Sequence, residues 1–83
     1  MRVPATYVDQ QRFPHDVLVV RLSSAECEIA GDRDSAAEGS AVRFFIGAIG
    51  PIDGRMEDRH GDSLTIRFAQ PLDRQIVEHF QAA

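Results

Sequence analysis

Residues 39–80 read GSAVRFFIGAIGPIDGRMEDRHGDSLTIRFAQPLDRQIVEHF. Val42, Phe44 and Ile46 alternate with other residues, and so do Leu64, Ile66 and Phe68, separated by Thr65 and Arg67. A period of two marks a strand with one buried and one wet face. After Phe68 the period changes, and Leu72, Ile76, Val77 and Phe80 fall on one stripe of a helix. The helix is expected to begin near Pro71 and run over residues 71–82. Proline suits the first helical position, Asp73 complements the first turn and His79 the last. Between these elements, Gly47 to Pro51 reads as a connection flanked by two short strands. Ile52 to Asp58 reads as a strand, with Gly54 marking a bulge. Arg59 to Asp62 is expected to turn tightly, with Gly61 supplying a positive φ.

Working outward, Asp16 to Leu22 is a Val- and Leu-rich strand. Its run Val17 to Val20 predicts contact on both faces. Ser23 to Ala25 reads as a bend or bulge, and Glu26 to Ala30 alternates again with Cys27 and Ile29 inward. Gly31 to Gly39 is a polar loop. Val3 to Val8 suits an edge strand, where Pro4 is tolerated, and residues 9–14 read as a loop carrying Arg12 and Phe13. Several short antiparallel strands at close spacing predict a barrel or compact sandwich closed by the C-terminal helix.

At 83 residues the chain makes one domain, burying only roughly 60% of its unfolded surface. The net charge is −4, and all nine basic residues are arginine. A binder of bulk nucleic acid carries a basic surplus, so that class is not expected. The arginine-only usage suits bidentate phosphate contacts, but GC-rich codon usage is the expected reason for it. No apolar run approaches the length of a membrane span. Residues 1–11 lack a basic segment followed by an apolar run, so no signal peptide is expected and a cytoplasmic location follows. The single cysteine, Cys27, reads as a buried strand thiol.

No constellation for catalysis or metal binding stands out. His15, in a loop, His60, in a turn, and His79, on the helix, share no ligand spacing. No serine sits on a strained elbow, and no glycine-rich phosphate loop precedes a helix. Asp32, Asp34 and Glu38 supply carboxylates without an EF-hand order, and Arg33 interrupts them, so a solvated loop is expected. Arg21, Arg43, Arg55 and Arg67 alternate with acids on exposed faces, which predicts cross-strand ion pairs of small individual worth. We therefore expect no enzyme, metal or cofactor.

The order Val17-Leu-Val-Val-Arg-Leu-Ser-Ser-Ala-Glu-Cys-Glu-Ile29, Gly39-Ser-Ala-Val42, Gly54-Arg-Met56, Thr65-Ile-Arg-Phe68 and a closing helix resembles the PilZ domain family over roughly residues 16–81. The resemblance implies a six-stranded antiparallel β-barrel with one C-terminal helix, and a single PilZ-like domain over residues 1–83. It also implies kinship with bacterial receptors for cyclic di-GMP. In that family an R-x-x-x-R near the N-terminus and a D/N-x-S-x-x-G on the barrel surface bind the nucleotide. On that pattern Arg2, Arg12, Arg21 and Ser23 are the ligand-binding candidates. The second motif falls on Arg21-Leu-Ser-Ser-Ala-Glu26, where only Ser23 matches. Arg21 replaces the guanine-edge acceptor, and Glu26 replaces glycine, placing a negative charge near a phosphate at a cost of about 1 kcal/mol or more. Arg12 has no arginine four residues away, since Val8 and Asp16 hold those positions.

The expected function is accordingly a signalling adaptor that contacts a protein partner, with Phe13 and Phe45 as contact candidates. Phe45 is out of phase with Phe44 and Ile46 and faces away from them; the helix or the N-terminal segment would cover it if no partner does. A divergent cyclic di-GMP receptor is the second expectation. An unrelated small barrel of the OB or SH3-like kind, binding oligonucleotide or peptide, is the third; the acidic balance and few aromatic residues oppose it.

Overall fold

The computed structural model describes residues 1–31, 39–61 and 63–82. Six strands and one helix follow in order: β1 Val3–Val8, β2 Pro14–Leu22, β3 Glu26–Ala30, β4 Ala41–Ile46, β5 Ile49–His60, β6 Ser63–Phe68 and α1 Arg74–Gln81. Every pairing is antiparallel, and the strands close a barrel in the order β1-β2-β3-β6-β5-β4. The expected acidic loop residues Asp32, Asp34 and Glu38, and Asp62 of the turn after β5, lie outside the described residues.

The inward set follows from the period of two. Tyr7, Val19, Ile29, Phe44, Ile46, Met56, Leu64 and Ile66 are all essentially inaccessible. Phe44 stands opposite Tyr7 on β1 and Ile52 on β5, with the Phe68 ring 6.0 Å away. Leu18 and Val20, on the other face of β2, are only half-buried, so the Val17–Val20 run packs tightly on one face rather than two.

Several boundaries differ from the sequence reading. β1 is not an edge: it pairs with both β2 and β4. Pro4 is accommodated because the ladder to β4 begins only at Ala5. β2 begins at Pro14, which puts His15 on a strand instead of in a loop. Ser23 to Ala25 is a chain reversal, not a bend within a strand. Leu22 faces Cys27, and the Ser23 N–H donates to the Glu26 carbonyl at 2.9 Å.

The β4–β5 turn is confined to Gly47 and Ala48, and β5 runs for 12 residues. Gly50 and Pro51 lie within β5 where its register to β4 shifts, the kind of site at which a strand tolerates proline. A second shift near Met56–Arg59 bends β5 again. Gly54 is not a bulge; it is paired with Val42 and Phe68.

The helix starts three residues after Pro71. Asp73 is its N-cap, outside the first turn, and its carboxylate accepts the Gln75 N–H at 2.8 Å. Val77 and Phe80 are buried against the barrel, with Leu72 and Ile76 partly buried. Gly47 leaves room for the Phe80 ring: a Cβ there would lie 3.2 Å from Cζ. Among the described residues, no helix is long and apolar enough to cross a membrane.

Candidate functional site

Two concave surfaces lie at opposite ends of the β1–β2 hairpin, and they divide the candidate residues between them. The first is a cleft of about 640 Å³ beside the β2–β3 reversal, lined among others by Met1, Arg21, Ser23, Glu26, Glu28 and Gln81. A register shift places Val19 opposite Ile29 and Arg21 opposite Glu28, so Val20 is an extra residue on β2. Without it the alternation would aim Arg21 into the core. With it, Arg21 is exposed and Leu22 is buried.

Arg21 lies on the cleft wall with its Nε 3.5 Å from Glu28. The Ser23 hydroxyl is committed to the turn: it accepts the Ala25 and Glu26 N–H groups at 3.3 and 3.2 Å and donates to the Glu26 carbonyl at 3.1 Å. Glu26 is 3.4 Å from Arg67, whose Nε binds Glu57 more closely, at 2.7 Å. The Gln81 amide donates to the Leu22 carbonyl at 2.9 Å and pins the end of α1 to this cleft. Arg2 is exposed immediately before β1, and its neighbour Met1 lines the cleft. Behind the wall, burial pushes the Cys27 thiol up to about 12, so it stays protonated and non-nucleophilic at neutral pH.

The second surface is built by the β1–β2 loop and the outer side of β4. Asp9 organises it. One carboxylate oxygen accepts the Gln11 and Phe13 N–H groups, each at 2.9 Å. The other is 2.8 Å from His15 Nε2. The Arg12 N–H donates to the Asp9 carbonyl at 3.0 Å, and the Asp9 N–H to the Phe13 carbonyl at 3.2 Å. His15 in turn stacks on Tyr7, with centroids 4.5 Å apart and planes within 6°. The Asp9 and His15 side chains are only 14% and 11% exposed.

This hub fixes a tight loop closed by Asp9 and Phe13, and the Phe13 side chain is 63% exposed, the one large exposed hydrophobic residue among those described. Beside the loop, Val8, Arg12, Arg43, Phe45 and Asp53 line a groove of about 670 Å³. Phe45 is half-buried. It stands opposite Thr6 of β1, and β5 passes close beneath its ring: a Cβ on Gly50 would lie 2.6 Å from Cδ2. Strand neighbours, not the helix, flank this phenylalanine.

The structure thus brings Arg21 and Ser23 into one cleft with Arg2 nearby. It gathers Arg12, Phe13 and Phe45 elsewhere. β2 has nine residues, and at roughly 3.3 Å each it holds the two groups more than about 20 Å apart. Sequence reading missed Asp9 and His15 as organisers, because their joint role depends on a loop and a strand meeting. The spacing Asp9, Gln11, Phe13 is the local signal, since an aspartate that accepts N–H groups two and four residues on is an Asx-type loop nucleus.

The hub makes a testable pH dependence. The hydrogen bond to His15, then that from Phe13, holds the Asp9 carboxyl below its ordinary 3.8. A group with a depressed folded-state pKa stabilises the fold above its unfolded value and loses that contribution as pH falls through the folded one. Asp9→Ala should therefore melt below the parent at neutral pH, and the gap should close as pH drops under about 3.8. Paired thermal melts across that range check this; a gap independent of pH would exclude a charged Asp9 as its source.

Among the described residues, no group of three or more His, Cys, Asp or Glu side chains is placed to hold a metal ion. No family model matches this sequence, and no curated protein matches it either.

Proposed function

We propose that this chain is a PilZ-like signalling adaptor of the cytoplasm that acts by protein contact through the β1–β2 loop that carries Arg12 and Phe13. It does not act by binding cyclic di-GMP. The closed six-stranded barrel with a C-terminal helix is compatible with that family's architecture. One observation carries the adaptor reading: in the cleft where the resemblance puts the nucleotide, the Ser23 hydroxyl is already bonded within its turn, Arg21 already faces Glu28, and Glu26 adds a second carboxylate to the lining. A dianion entering there meets like charge and displaces an existing pair. The Phe13 ring, by contrast, is exposed on a loop already ordered by Asp9, which reduces the entropic cost of using it as an anchor.

Calorimetric titration with cyclic di-GMP tests this, and no saturable heat is expected. Saturable binding with amide shifts at Arg21 and Ser23 would establish the second reading, a divergent receptor. That reading is favoured by those two residues sharing one open cleft. On the adaptor side, Phe13→Ser should change stability by less than about 0.5 kcal/mol and abolish photo-crosslinking between this loop and its partner. Undiminished crosslinking would remove Phe13 from the contact.

A further inference from the structure

Arg12 is the one non-glycine residue among those described with a positive φ, 68°. That left-handed conformation is the natural place for glycine or asparagine in a short hairpin loop, because a Cβ crowds the following carbonyl. The loop needs the conformation: the Arg12 N–H closes onto the Asp9 carbonyl, and Asp9 holds the residues on either side. It does not need a guanidinium, for no ion pair joins Arg12 to a described residue. A long cationic side chain at a position the backbone would give to glycine points to a role outside the fold.

Its surroundings say which role. Arg12 shares its groove with Arg43 of β4. The apolar Val8, opposite Arg43 on β1, and Ala41 and Phe45, on either side of Arg43 along β4, line the same groove, on the outer face of a barrel where polar side chains are expected. Of the two acids there, Asp9 has both oxygens engaged by the loop and His15. Asp53 holds Arg43 only loosely, at 3.9 Å with both side chains at least 70% exposed. Arg43 therefore already faces a carboxylate that an incoming one can replace, and Arg12 offers a second fork beside it.

We propose that the Arg12–Arg43 groove receives an extended, carboxylate-bearing segment of the partner protein, its apolar side chains resting on Val8 and Phe45 while its acids pair with the two arginines. This inference rests on the adaptor reading and specifies the partner's chemistry.

The test is an NMR titration of the whole chain with a blocked peptide of alternating aspartate and leucine, with the lysine–leucine counterpart as control. The acidic peptide should shift the amides of Val8, Arg12, Arg43 and Phe45, and the basic one should not. Arg12→Gly removes the guanidinium while relieving the backbone, so it should melt no lower than the parent yet bind about tenfold more weakly. Arg43→Gln should weaken binding in the same direction. Silence at millimolar acidic peptide, equal affinity of Arg12→Gly, or shifts centred on Arg21 would each overturn the proposal. Those results would leave the adaptor reading in place; that reading falls instead if the cyclic di-GMP titration saturates.

Discussion

Gly54→Ala is expected to lower the melting temperature by about 15 °C, although it adds a single methyl group. Gly54 is buried on β5, paired on one side with Val42 and on the other with Phe68. A Cβ built there lies 2.8 Å from the Arg67 carbonyl oxygen and 2.9 Å from Ile66 Cγ2. The second contact is with a side chain locked in the core. The first is with backbone, and β6 cannot withdraw without disrupting its ladders to β3 and β5. Overpacking of this sort costs about 2–3 kcal/mol. In a domain of this size each kcal/mol shifts the midpoint by roughly 4–8 °C. A thermal melt followed by circular dichroism checks the value. A shift of only a degree or two would mean that β5 and β6 are not this closely apposed, and the β5–β6 register would be wrong.

Phe44→Ala is expected to be still more damaging. Phe44 is fully inaccessible and lies midway along β4, with Tyr7, Ile52 and Phe68 around it. Removing a buried phenylalanine ring costs about 3–5 kcal/mol, the loss of transfer energy plus the cavity left behind. A hydrogen-bonded ring of strands resists collapse, so the upper part of that range applies. Small domains have only about 5–15 kcal/mol in total, so the midpoint should fall by roughly 20 °C or more. Urea unfolding should show a lower midpoint with the same slope if the variant still folds to the same compactness. A loss under about 1 kcal/mol would move the centre of the core elsewhere. Phe13→Ser provides the contrast, since a ring exposed on the β1–β2 loop takes no part in this packing.

The alternations Val42/Phe44/Ile46 and Leu64/Ile66/Phe68 gave the right inward faces, and Ile76, Val77 and Phe80 gave the right stripe of the helix. These signals are legible because each depends on the spacing of neighbours along one element. The errors share a cause as well. Pro71 suits a first helical position, but Asp73 is the better cap and α1 begins at Arg74. Pro14 before His15 suggests a loop, yet pairing with Tyr7 draws His15 onto β2. The doublet Val19-Val20 followed by Arg21 did carry a trace of the bulge: strict alternation would have sent an arginine into the core. Gly54, read as a bulge, is required instead for the close approach of two backbones, which its sequence neighbours do not reveal.

For the candidate site the division is sharper. The loop position of Phe13 and the charges of Arg21 and Glu26 are visible in the chain. That Arg12 belongs with Phe45 and Arg43 instead of with Arg21 and Ser23 is not, because it depends on which end of a hairpin each occupies and on β4 lying beside β1.

A small, mainly β domain with a helix at its end is legible in the chain alone, because periodicity and local turn chemistry act between residues a few positions apart. The ring order of the strands, the two grooves and the partners of Arg21, Arg43 and Arg67 emerge from the folded chain. Those follow from long-range pairing between β1 and β4 and between β3 and β6, where residues some forty positions apart meet through hydrogen bonds that any sequence can make.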